Sequence, residues 1–142
     1  EEVREWPISG VAFTFYVPRA NDDTGLAWDD LADRDPVIDR LIAAKKKDPN
    51  LVKANVGTLE LMYSDRCLEY TGENGENCLM GSTLPLYMGD GGRFERTFCC
   101  FGNDVDCSHC GGYVVFNSAY HKQIKGEGEY HHRSRYFSKP KP

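Results

Sequence analysis

The segment Asp35-Pro-Val-Ile-Asp-Arg-Leu-Ile-Ala-Ala-Lys-Lys-Lys47 predicts a helix more clearly than any other part of the chain. Asp35 is a favourable N-cap residue, and the proline after it suits the first helical position. The three lysines lie at the C-terminal end of the predicted helix, where cations are favoured. Asp48-Pro49 should end the helix. The apolar residues follow the spacing of one helix face, and they are Val37, Ile38, Leu41 and Ile42.

Two strand candidates flank this helix. Residues 11–17 are β-branched and aromatic, and Pro18 ends the run. Residues 51–55 form a shorter candidate, and Thr58 is expected to cap a second, short helix. The order strand, helix, strand, helix (βαβα) predicts an α/β fold, because parallel strands are joined through helical crossovers.

The character of the sequence changes after residue 66. Residues 71–92 are rich in glycine and asparagine, so regular elements are not expected there. Residues 113–116 are a last short strand candidate. We therefore divide the chain into a βαβα segment (1–66), a cysteine-rich extension (67–120) and a basic tail (121–142).

Composition and charge exclude several classes of protein. The chain has 142 residues, of which 40% are hydrophobic, which fits one globular domain. A formal net charge of -5 argues against a general nucleic-acid binder. No apolar run reaches the roughly 18 residues that a membrane span needs.

The six cysteines are the main chemical signal. Cys107-Ser-His-Cys110 is a C-x-x-C turn followed by two glycines, a spacing at which two thiolates can bind one metal centre. Cys78 and one of the adjacent pair Cys99 and Cys100 are candidates for the remaining ligands. An iron–sulfur cluster, a structural zinc site and three disulfides all fit six cysteines. For zinc, His109 or His121 could replace one thiolate, and local chemistry favours a metal over disulfides.

Three stretches of this region look like the C-terminal region of radical SAM enzymes. They are Thr71-Gly-Glu-Asn-Gly-Glu-Asn-Cys78, Leu84-Pro-Leu-Tyr-Met-Gly-Asp-Gly-Gly92 and Arg96-Thr-Phe-Cys-Cys-Phe-Gly-Asn-Asp-Val-Asp-Cys-Ser-His-Cys-Gly111. They most resemble the enzymes related to hopanoid adenosyltransferases and the SPASM-type maturases. The resemblance implies that the βαβα segment is the remnant of a partial TIM barrel. It also implies an auxiliary [4Fe–4S] cluster on Cys78, Cys100, Cys107 and Cys110, with Cys99 as the substitute for Cys100.

The sequence departs from that family in one decisive respect. The C-x3-C-x2-C signature that binds the catalytic cluster is absent, so this chain alone is not expected to cleave S-adenosylmethionine. It would be the C-terminal portion of such an enzyme, assisting substrate binding or electron transfer. The catalytic half would lie on the same precursor or on another chain. The alternatives are a zinc-stabilised interaction module without catalytic activity and a secreted disulfide protein. The cysteine-free α/β character of the first segment favours a cytoplasmic location.

Overall fold

The first helix is where the sequence places it. In the computed structural model, which describes residues 5–80, 86–88, 94–96 and 105–124, helix α1 runs Asp35–Lys47. Ile38, Leu41 and Ile42 are buried on its inner face, which confirms three of the four residues of the predicted stripe, and Val37 is half-buried. Asp35, however, is not the N-cap. Asp30 caps a preceding 3-10 turn, Leu31–Arg34, and the Asp35 carboxylate accepts hydrogen bonds from Ser64 instead.

Three shorter helices complete the helical part of the described residues. Helix α2 runs Val56–Glu60, helix α3 runs Cys67–Thr71 and helix α4 runs Tyr113–Ala119. A π-helical turn, Tyr120–Ile124, continues α4. Helix α2 packs between α1 and α4, and α3 also contacts α4. Residues from both sides of position 66 therefore form a single core.

The predicted βαβα segment of a partial TIM barrel is wrong. Residues 11–17 and 51–55 meet only at one isolated parallel bridge, between Val11 and Val52. The strands of the described chain are β1, Leu86–Met88, and β2, Phe94–Arg96, which pair antiparallel. The expectation of no regular element in residues 71–92 is also wrong, since strand β1 lies within that stretch. Its pairing partner β2 lies beyond residue 92, so the pairing is not visible within the stretch itself.

Tertiary contacts explain why residues 11–17 do not join a sheet. The Phe15 N–H donates to the Gly111 carbonyl over 2.9 Å, and Thr14 Oγ1 accepts from the Tyr113 N–H over 3.2 Å. These hydrogen bonds tie the extended segment to the start of α4. The segment is thus a strap along the start of α4, and its Phe15 and Val17 side chains pack against the core.

Two further local predictions are corrected. Asn55, not Thr58, caps α2 by accepting from the Gly57 N–H, while Thr58 is buried inside the helix. Residues 113–116 are helical and not a strand, because Val115, Phe116 and Ala119 share one helix face and are buried together. Helical periodicity therefore outweighs the β propensity of this valine-rich run. No helix in the described ranges is long and apolar enough to cross a membrane.

The core joins the helices with residues from the loops between them. Its buried members are Ile38, Leu41, Ile42, Val52, Ala54, Leu59, Leu61, Met62, Cys67, Tyr70, Met80, Cys110, Val115, Phe116 and Ala119. One of the predicted metal ligands, Cys110, is thus at the edge of the core. The predicted basic tail lies outside the described residues from position 125 onward.

Candidate metal centre

The C-x-x-C segment forms a turn that is fastened to the strap on both sides. The Cys110 N–H donates to the Cys107 carbonyl over 3.3 Å and closes the turn. Before it, the Asp106 N–H donates to the Pro18 carbonyl over 3.0 Å. After it, Gly111 lies so close to Phe15 that a side chain at this position would collide with it. The strap therefore fixes where the two thiols of the turn are presented.

A second loop, residues 72–78, folds onto this turn. Gly75 has a left-handed backbone with φ of 85°, and the Cys107 sulfur lies 3.0 Å from the point where a Cβ would be. The Cys78 N–H donates to the Gly75 carbonyl over 3.1 Å, so Cys78 follows directly on this contact. The loop is held by Glu76, whose carboxylate accepts from the Glu73 and Asn74 N–H groups. Glycine at position 75 is what permits the close approach.

The Cys107 thiol lies in an acidic, half-buried environment. Burial raises its pKa, and the nearby Cys78, Asp106 and Glu76 raise it further. A thiol with a raised pKa carries little thiolate at neutral pH, so Cys107 is not set up as a nucleophile. Cys78, Asp106 and Glu76 thus act on Cys107 electrostatically, but these described side chains do not form a metal-binding group with it.

Cys110, the second cysteine of the turn, is a member of the buried core. It is 5% exposed, and its sulfur accepts a hydrogen bond from the Gly112 N–H over 3.4 Å. Its carbonyl accepts from Nη1 of the buried Arg34 over 3.1 Å. Backbone N–H groups directed at sulfur are a regular feature of metal–thiolate sites, because they stabilise the charged sulfur.

Asp106, Ser108 and His109 form a small network beside Cys107. The His109 Nδ1 lies 2.8 Å from Asp106 Oδ2 and 2.9 Å from the Ser108 hydroxyl. Burial raises the pKa of Asp106, but the hydrogen bonds from Ser108 and His109 outweigh it and leave that pKa lowered. Because serine and aspartate contact the same ring nitrogen, this is not a Ser–His–Asp relay, which needs one contact on each nitrogen.

The predicted ligands are thus distributed unevenly. Cys107 and Cys78 are close enough to interact electrostatically. Cys110 lies in the same turn as Cys107. Cys99 and Cys100 lie outside the described residues. Within the residues that are described, no three histidine, cysteine or acidic side chains already form a metal-binding group. Cys67 is separate, since it is buried among the core residues and its thiol faces the Ser64 carbonyl.

The contributions of Arg34 and Gly75 were not predicted from the sequence. Arg34 stands in a run of ordinary helix-start residues, and nothing local indicates that its guanidinium reaches Cys110. Gly75 sits in a run read only as a loop, although Asn-Gly is a frequent sign of a left-handed backbone.

The described residues define a small, mostly helical protein with a cysteine-lined turn. Comparison with protein families, with curated proteins and with solved structures gives no match for this chain. The resemblance to radical SAM enzymes therefore stays a prediction.

Proposed function

We propose that this chain is a metal-binding protein in which thiolates hold a structural zinc ion. The ligands are Cys78, Cys107, Cys110 and one of Cys99 and Cys100. The observation that carries the proposal is the contact of Cys107 with Gly75, which brings a distant cysteine loop onto the C-x-x-C turn. A loop with so few apolar side chains has little other reason to fold against that turn.

The donor set supports zinc in particular. Zinc prefers sulfur and nitrogen ligands in a closed tetrahedral arrangement, and a C-x-x-C turn supplies two thiolates at suitable spacing. The Gly112 N–H also donates a hydrogen bond to the Cys110 sulfur, as backbone N–H groups commonly do to metal-bound sulfur. When bound, zinc would tie the loop, the turn and α4 into one unit, which stabilises the fold without catalysing a reaction.

The chemistry of reduced thiolates also bears on location. Free thiols persist where glutathione and thioredoxin keep cysteines reduced. Cys67 and Cys107 form no disulfide within the described part of the chain. On this basis the proposal includes a cytoplasmic location and a non-catalytic role in which the helices present a surface to a partner.

A [4Fe–4S] cluster on the same cysteines is the second candidate. It is favoured by the Cys110 environment, because backbone N–H bonds to sulfur also tune iron–sulfur clusters. In that case the chain would serve as the auxiliary-cluster portion of a radical SAM-type enzyme, and the catalytic half would be supplied elsewhere.

Metal and sulfide analysis of the anaerobically purified chain tests the proposal and separates the candidates. We expect about one zinc per chain, no acid-labile sulfide and no visible absorbance. Stoichiometric iron and sulfide with a brown colour would replace zinc by the cluster. Absence of both metals after reconstitution would refute the proposal.

A matched set of variants assigns the ligands. Cys78→Ser and Cys107→Ser should each lose the metal, because serine is a poor ligand for zinc. Cys67→Ser is the control, since Cys67 packs in the core away from the turn and its replacement should leave the metal content unchanged. Loss of zinc in the Cys67 variant, with retention in the other two, would contradict the assignment.

A further inference from the structure

The fold brings together two cysteines that are far apart in sequence, Cys78 and Cys107. The Cys107 sulfur lies 3.0 Å from the point where a Cβ would be at Gly75. The Cys78 N–H donates to the Gly75 carbonyl over 3.1 Å, which places Cys78 next to that contact. After burial, which is the main cause, Cys78 raises the pKa of Cys107 most, ahead of the adjacent Asp106. The two thiols therefore lie near each other on adjoining loops.

The two loops differ in what holds them. The turn that carries Cys107 is fastened to the strap, because the Asp106 N–H donates to the Pro18 carbonyl over 3.0 Å. In the loop 72–78, the Glu76 carboxylate accepts from two N–H groups of the loop itself. These hydrogen bonds shape the loop but do not attach it to the turn. A small shift of the loop toward a fixed turn is thus the movement that would bring the two sulfurs into bonding distance.

We propose that Cys78 and Cys107 are a redox-responsive thiol pair that closes to a reversible disulfide. The inference goes beyond the proposed zinc site and does not rest on it, because it concerns two described thiols in the metal-free chain. Cys107 forms no disulfide within the described part of the chain, so the structure corresponds to the reduced state of the pair. In reducing compartments, the disulfides that do form are usually transient, and many of them sense redox conditions.

The oxidant is a low-molecular-weight disulfide such as oxidised glutathione. One protein thiolate attacks a sulfur of this reagent, which forms a mixed disulfide and releases one reduced glutathione. The second protein thiolate then attacks the protein sulfur of the mixed disulfide, which forms the bond between Cys78 and Cys107 and releases the second glutathione. The two thiol protons and two electrons of the pair end on the two released glutathione molecules, and an excess of reduced glutathione reverses the exchange. Because its raised pKa leaves Cys107 little thiolate at neutral pH, the exchange should be slow there and faster at mildly alkaline pH.

Closing the pair would change how the two loops are held. The bond would attach the loop 72–78 to the turn, and the turn is already fastened to the strap through Asp106. It would also keep the two loops together in the unfolded chain, which lowers the conformational entropy of that state. The oxidised chain should therefore unfold at a higher urea concentration than the reduced chain.

The test follows the thiols of the folded, full chain. The chain is freed of metal with a chelator and incubated with mixtures of oxidised and reduced glutathione at mildly alkaline pH. The remaining thiols are alkylated, and the chain is cleaved at its acidic residues. This cleavage puts Cys78 and Cys67 on different peptides, and it separates Cys107 from Cys99 and Cys100.

Mass spectrometry is expected to find Cys78 linked to Cys107, with fragmentation of the linked peptides locating the bond. The urea midpoint of the oxidised chain should lie above that of the reduced chain. Cys78→Ser should lose both the link and the rise in the midpoint. Cys67→Ser is the matched control and should keep both, because Cys67 is buried in the core with its thiol facing the Ser64 carbonyl. If a variant does not fold, the peptide map of the native chain decides the question by itself.

Three results would overturn the inference. In the first, all six cysteines stay unlinked or stop at glutathione adducts. In the second, Cys107 links to Cys99, Cys100 or Cys110 instead. In the third, oxidation in urea gives the same links as oxidation of the folded chain, because the fold would then not select the pair. Metal analysis of the untreated chain is a separate measurement, so the zinc proposal can fail while the thiol pair stands, and the reverse.

Discussion

Replacing Gly75 by alanine should lower both the zinc affinity and the metal-free stability of the fold, and the two effects can be measured separately. Gly75 has a φ of 85°, and a non-glycine residue in the left-handed region costs roughly 1–2 kcal/mol. Its Cβ would also lie 3.0 Å from the Cys107 sulfur, well inside the roughly 3.5–4.0 Å at which non-bonded atoms attract best. The sulfur must therefore move by a few tenths of an ångström, which exceeds the ~0.2 Å tolerance of a metal–ligand distance.

Gly25 provides the matched control. It has a similar φ of 68°, but a Cβ there would meet nothing within 4 Å. Gly25→Ala and Gly75→Ala should thus each lower the metal-free stability through the backbone, by roughly 1–2 kcal/mol. Only Gly75→Ala should also lower the zinc affinity, by about tenfold or more, which corresponds to about 1.4 kcal/mol.

Urea unfolding without metal gives the first quantity, and chelator competition gives the second. The reasoning is refuted if Gly75→Ala binds zinc as tightly as Gly25→Ala does. Equal zinc affinity of the two variants, whether or not it is lower than that of the native chain, would mean that the contact with Cys107 plays no part.

Three other predictions concern the core, a cap and a titration. Phe116→Ala should destabilise the fold by about 3–5 kcal/mol in urea unfolding because Phe116 is fully buried, whereas the 52% exposed Val114 should tolerate alanine within about 0.5 kcal/mol; equal effects would contradict the core. Asn55→Ala should cost about 1 kcal/mol by the same assay, since its side chain caps α2, and a neutral result would contradict the cap. The hydrogen bond to Asp39 raises the pKa of Tyr63 from 10.0 to about 12, so its stabilising effect is complete below pH 10.0 and is lost as the pH rises through about 12. Ultraviolet titration should show this late ionisation, and Asp39→Asn should return it toward 10.0; an unchanged pKa in that variant would exclude the bond as the cause.

The parts of the fold that could be predicted are those fixed by local sequence. Helix α1 has a proline in its first turn, an apolar stripe and a lysine-rich end, so every local signal agrees. The prediction of Asp35 as its N-cap is wrong because a 3-10 turn precedes the helix, which leaves Arg34 at the N-cap position without a side-chain cap. Residues 113–116 were misassigned because their β propensity is strong and the helix period over so short a run is not visible. The strap 11–17 has strand composition, but its hydrogen-bond partners are distant in sequence.

The site was predictable only in its residue types. The C-x-x-C spacing indicates a two-thiol turn, and the structure contains that turn. That Cys107 is approached by the loop carrying Cys78 depends on a left-handed glycine, whose conformation the sequence indicates but whose neighbours it does not. The contact of Arg34 with the Cys110 carbonyl depends on tertiary packing alone. Local patterns name the candidate ligands, whereas long-range contacts decide which of them meet.

X-ray absorption at the zinc edge of the purified chain tests the central claim most directly. The account predicts a first shell dominated by sulfur at about 2.3 Å, with at most one lighter ligand. Cys107→Ser should abolish that shell or reduce its sulfur count. A shell made only of nitrogen and oxygen at about 2.0–2.1 Å would contradict the account, because the metal would then be bound by something other than the cysteine turn.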